Sequence, residues 1–171
     1  MNLRRAALGA ALLGSIVGGA HAAGTGSAQV GDIAIEGAYV RASLGRAPNS
    51  AAYMTVTTAG AEPDRLIGGS TPAAERVELH ATLQEDGVMK MRPLQAVEVA
   101  PGEASVLQPG GVHLMLVNLT EPLLEGETIE LSLDFERAGE VTLEAPVVGL
   151  GGGGQDAGHS GMDHGHAAPT N

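Results

Sequence analysis

The strongest constraint on the fold is the absence of a helical rhythm over more than one hundred residues. From Ile33 to Val148 no stretch of helical length keeps a 3.6-residue apolar period. The chain instead breaks into short segments rich in Val, Leu, Ile and Thr, each soon ended by Gly, Pro, Asp or Asn. Ile33 to Arg41, Ala51 to Thr57, Arg65 to Gly69, Arg76 to Leu83 and Val88 to Arg92 are the first five. Ala96 to Val99, Ala104 to Leu107, Val112 to Asn118, Thr128 to Phe135 and Glu140 to Ala145 complete the series. Such a series predicts an all-β domain over residues 30–148, an antiparallel sandwich or Greek-key barrel.

The flanks read differently. Arg4 and Arg5 precede an apolar run from Ala6 to Ala20 that ends in Ala20-His21-Ala22. This is the pattern of a signal peptide over residues 1–22, cut before Ala23 and exported by the general secretory route. No later run approaches the roughly 20 apolar residues a membrane helix needs, so the expected product is a periplasmic protein with no span after cleavage. Loss of the two arginines takes the formal charge from −11 to −13, which argues against nucleic acid as a partner. Beyond Gly149 the composition turns to Gly, Ala, His and Asp, with Gly151 to Gly154 opening a tail over residues 149–171 that carries too little apolar surface to order itself.

An oxidising compartment favours disulfides, yet the chain has no cysteine. Stability must then come from the core, and thiol chemistry of every kind is excluded, including the thiolate of a blue-copper centre. Histidine is scarce in the expected domain, occurring only as His80 and His113. In Val112 to Asn118, period-2 alternation sends Val112, Leu114 and Leu116 to one face and His113 with Met115 to the other. Asp86-Gly87 marks a hairpin between Arg76 to Leu83 and Val88 to Arg92. If the loop is Glu85-Asp86, or all of Gln84 to Gly87, His80 lies opposite Met91. If it is Asp86-Gly87, the two are diagonal, about 7–8 Å apart. Either way they share a face, with Met89 as a reserve donor. Any one of these residues alone reads as core filler or a structural histidine, and Met54, with no histidine nearby, is assigned to the core. As a set they read as a metal site. Two thioethers and two imidazoles favour Cu(I) over hard ions, and zinc would recruit Cys or carboxylate.

The spacing His80, ten residues, Met91, twenty-one residues, His113, one residue, Met115 resembles the H-x10-M-x21-H-x-M signature of the periplasmic copper chaperones called PCuAC. Ala51-Ala52-Tyr53-Met54, Arg76-Val77-Glu78-Leu79-His80 and Pro109-Gly110-Gly111-Val112 agree with it, and the likeness spans residues 30–148. The resemblance implies a cupredoxin-like Greek-key fold and Cu(I) held by those four residues. It also implies delivery to the dinuclear copper centre of cytochrome c oxidase, through its subunit II or an Sco-like assembly protein.

The tail places His159, Met162, Asp163, His164 and His166 within eight residues, a second set of donors richer in nitrogen and oxygen and better suited to Cu(II). Two other functions use the same features. One is a copper buffer or resistance protein that sequesters the ion. The other is a copper-dependent oxidative enzyme, which requires cleavage after Ala20 to leave His21 as the amino terminus. No Ser-His-Asp set, phosphate loop or paired carboxylates point to other catalysis, and the expectation is a protein that is not an enzyme.

Overall fold

The computed structural model describes residues 26–149. The predicted signal peptide, and the predicted tail apart from Gly149, lie outside those residues. All ten expected segments are strands, and one more precedes them. In chain order they are β1 (Ala28–Val30), β2 (Ile33–Arg41), β3 (Asn49–Thr58), β4 (Asp64–Ser70), β5 (Ala74–Glu85) and β6 (Val88–Pro93). Then come β7 (Val97–Val99), β8 (Ser105–Leu107), β9 (Val112–Leu119), β10 (Thr128–Phe135) and β11 (Gly139–Val148). No helix occurs among the described residues.

Seven strands close on themselves in the order β2, β11, β10, β4, β5, β9, β3, with β3 returning to β2. Every neighbouring pair is antiparallel except β11 with β2, where Val147 and Val148 run alongside Val40 and Arg41. The remaining strands are short additions: β1 pairs with β2, β8 with β3, β7 with β4 and β6 with β5. Closure matters because an open sheet of this length would present unpaired backbone edges, which a ring removes.

The pleat then sorts the side chains. Along β3, Ala52, Met54 and Val56 are buried, and along β9, Leu114 and Leu116 are. With Ile33, Ile35, Leu131, Leu133 and Leu143 they fill a barrel whose core is largely aliphatic and includes Phe135, the chain's single phenylalanine. Met54 sits among them at 2% exposure, where the sequence placed it.

One polar group is built into this frame. The buried Asp64 carboxylate accepts N–H bonds from Arg65 at 2.7 Å, Arg137 at 2.9 Å and Ala138 at 2.9 Å, tying the start of β4 to the turn between β10 and β11. Burial pushes its pKa up, but the three backbone donors and the Arg137 charge together hold it below the usual value. The side chain of Arg137 also pairs with Glu62.

Candidate metal site

The site is assembled on the outward face of three adjacent strands, with β5 running between β9 and β6. On β5 and β9 the register sets His80 directly opposite His113 and Glu78 directly opposite Met115. The imidazole centroids are 6.1 Å apart. Inward neighbours on the same strands, Leu79, Leu114 and Leu116, belong to the core, so the alternation expected from the sequence is what turns the two histidines and Met115 outward.

The β5–β6 turn decides between the alternatives left open for Met91. Glu85 pairs with Val88, so the loop is Asp86-Gly87 alone. Both have positive φ, 53° and 77°, as a two-residue type I′ turn requires, and Gly87 adopts its angle without the steric penalty a side chain would bring. Thr82 therefore faces Met91, and His80 faces Pro93. Met91 is diagonal to His80 on the shared face. Met89 lies two residues nearer the turn, opposite Gln84, and both methionines are more than half exposed, at 57% and 56% for Met89 and Met91. Every residue of β6 is exposed, because this strand pairs with β5 and stands outside the ring.

A depression of about 430 Å³ opens beside these residues. Met91, Thr82, His113 and Met115 line it together with Tyr53, the 42–44 segment and Pro109. His80 is outside the lining and adjoins it through His113 across the ladder. Although His113 faces outward it is only 5% exposed. The Tyr53 ring is 6.3 Å from it, and the Tyr39 ring is 5.2 Å from that of Tyr53. Burial, with Tyr53 adding to it, raises the Tyr39 hydroxyl above its ordinary pKa.

Each imidazole has one engaged nitrogen. His113 Nδ1 is 3.1 Å from the Gly111 carbonyl. His80 Nε2 is 3.0 Å from a Glu78 oxygen, while its Nδ1 is buried with no hydrogen-bond partner. The other Glu78 oxygen accepts from Arg76 Nε at 3.1 Å. The hydrogen bond from His80 and then that from Arg76 hold the Glu78 carboxyl below its usual range. Glu78, Tyr53 and the 42–44 segment join the four residues expected from the sequence. Glu78 was within reach, since a residue two before His80 on a strand must share its face. The folding of 42–44 over that face had no sequence signal.

Among the described residues no group of three or more His, Cys, Asp or Glu side chains is placed to hold a metal ion. Beside the Glu78 carboxylate, already paired with His80 and Arg76, the face carries two thioethers and two imidazoles, donors that suit a soft ion.

The family model for putative LpqE-like lipoproteins matches residues 33–147. In solved structures, the copper-bound PCuAC domain from PmoF2 is 32% identical, with a TM-score of 0.63 over 72% of this chain and 97% of that domain. This chain belongs to the LpqE-like family of PCuAC-type domains. The Cu(I) form of DR1885 from Deinococcus radiodurans is 31% identical over 74% of this chain and 83% of its own, with a TM-score of 0.53. A putative lipoprotein of Leifsonia xyli, Lxx21020, is 27% identical over 90% of this chain and 94% of its own length. The cupredoxin-like β fold expected from the sequence is the fold of these PCuAC domains.

Proposed function

We propose that this LpqE-like, PCuAC-type protein binds one Cu(I) through His80, Met91, His113 and Met115 and passes it to an acceptor protein. The observation that carries the reading is the placement of all four on one outward face of β5, β6 and β9, beside an open depression. Chemistry supports it: thioether sulfur and imidazole nitrogen suit Cu(I), and neither donor is lost to disulfide formation outside the cytosol. So does kinship with a copper-bound domain and with a Cu(I)-loaded protein.

A carrier must also release its cargo. Met91 stands on a strand outside the barrel and is half exposed, so an incoming donor has access to the ion from that side without unpacking the core. The acceptor is proposed to be the dinuclear copper centre of cytochrome c oxidase subunit II, or an Sco-like assembly protein that serves it, an assignment resting on the family resemblance. Export to the periplasm rests on the N-terminal pattern and on the name of the Leifsonia relative. The tail donors His159, Met162, His164 and His166 lie outside the described residues and are proposed as a second, Cu(II)-preferring site.

Anaerobic incubation of the Cu(I)-loaded chain with an apo oxidase copper domain, followed by separation and metal analysis, tests the role. Copper is expected to move to the acceptor. Full retention by the loaded chain would make the protein a buffer, and failure to load the four-residue site would remove the reading altogether.

A further inference from the structure

His80 and His113 are matched across the β5–β9 ladder, yet their hydrogen bonds engage opposite nitrogens. A carbonyl oxygen only accepts, so the 3.1 Å contact with Gly111 puts the proton of neutral His113 on Nδ1 and leaves the lone pair on Nε2. A carboxylate oxygen also only accepts, so the 3.0 Å contact with Glu78 puts the proton of neutral His80 on Nε2 and leaves the lone pair on Nδ1. That Nδ1 is buried and no protein group meets it. Native structures rarely leave such an atom unpaired, and the lone pair is left free to meet an ion on a donor-bearing face.

Glu78 itself is a poor candidate for an additional ligand. One of its oxygens accepts from His80 and the other from Arg76, which turns the carboxylate toward these partners, and a hard carboxylate matches Cu(I) badly. Its position explains its use: two residues before His80 on β5 it shares the outward face, and the ladder sets it opposite Met115.

We propose that Glu78 is a positioning residue that fixes His80 as the Nε2–H tautomer, so that the two histidines meet Cu(I) through different nitrogens, Nδ1 of His80 and Nε2 of His113. The inference rests on the copper site proposed above and adds to it the orientation of each ring. The Arg76–Glu78–His80 chain locks the ring's orientation and tautomer, as carboxylate partners do for metal-binding histidines.

Long-range proton–nitrogen NMR of the ¹⁵N-labelled full chain shows which ring nitrogen carries the proton, and Cu(I) is diamagnetic, so the loaded form is observable. The expected result is a proton on Nε2 of His80 and on Nδ1 of His113, before and after one equivalent of Cu(I). Glu78→Ala should abolish the His80 preference and weaken Cu(I) by about 10–100-fold in competition titrations. Glu78→Gln keeps an acceptor oxygen and should preserve the tautomer with a smaller loss, which guards against reading a folding defect as a positioning effect. Binding of copper by both rings through the same nitrogen would overturn the proposal, as would unchanged tautomer and affinity in Glu78→Ala. A wild-type chain that binds Cu(I) no better than the His113→Ala, Met115→Ala double variant would remove the copper site itself, and this inference with it.

Discussion

Replacing Met91 with alanine separates binding from folding more cleanly than any other change at the site. Burying a whole methionine side chain contributes about 1.5–3 kcal/mol. Met91 is 56% exposed, so a little under half of that is at stake, roughly 1 kcal/mol. It is also an upper bound, because a real unfolded chain already shields some apolar surface. For a domain of this size the loss lowers the thermal midpoint by about 4 °C. Loss of a direct ligand should exceed the roughly 10–100-fold penalty typical of an outer-shell partner. The expected variant is therefore a folded protein, slightly less stable, whose Cu(I) affinity has fallen by more than 100-fold or so. Thermal unfolding of the metal-free chain and anaerobic Cu(I) titration against a chromophoric chelator read the two quantities independently. Affinity within twofold of wild type would show that Met91 is not a ligand. Loss of cooperative unfolding would show that β6 contributes far more to the fold than its exposure allows.

Other outcomes follow from the same structure. His113→Ala should lose Cu(I) binding and also about 2–3 kcal/mol of stability in urea titration, because the ring is buried and its Nδ1 bonds Gly111. At Gly87 an added Cβ meets nothing within 4 Å, so Gly87→Ala should cost only the backbone strain of φ 77°, about 1 kcal/mol by thermal unfolding, with weaker Cu(I) binding as the turn loosens. Asp64→Ala leaves three backbone donors without their acceptor and should cost about 1–3 kcal/mol or more at pH 7. Folding holds the Asp64 pKa below its ordinary 3.8, so its contribution is complete above that value and disappears as the pH falls through the folded pKa. Urea curves of wild type and variant should accordingly converge in acid. Ending the chain at Gly149 should leave Cu(I) stoichiometry unchanged and lower Cu(II) stoichiometry by one, as measured by dialysis and metal analysis; equal Cu(II) uptake would dismiss the tail site.

How far the fold was legible depended on what each strand had to bury. Segments such as Thr128–Phe135 and Gly139–Val148 alternate apolar and polar residues because one face meets the core, and that alternation can be read directly. β6 buries no residue fully and was still legible, as one of the short segments and by the Asp86-Gly87 turn that joins it to β5. β1 was missed: Ala28-Gln29-Val30 is too short to show a period, and it is a strand because β2 supplies a partner. Sandwich and barrel stayed alternatives in the sequence, since β2 and β11, which close the ring, meet across most of the chain and neither segment carries a mark of the other. At the site, parity alone put His113 with Met115 and His80 with Met91, whereas the pairing of β5 with β9, which opposes the two histidines, came only from the structure.

The barrel also determines which intervals of the motif are free to drift in evolution. The one residue between His113 and Met115 is Leu114, an inward residue with no exposure at all, and inserting beside it would turn one donor into the core. That interval is locked by the pleat. The interval from Met91 to His113 instead passes through β7, β8 and the connections around them, where length can change without rotating any side chain on β9. Distant relatives should therefore keep the final H-x-M intact while the longer gap expands or contracts, and a search that treats all three spacings as equally rigid would overlook them.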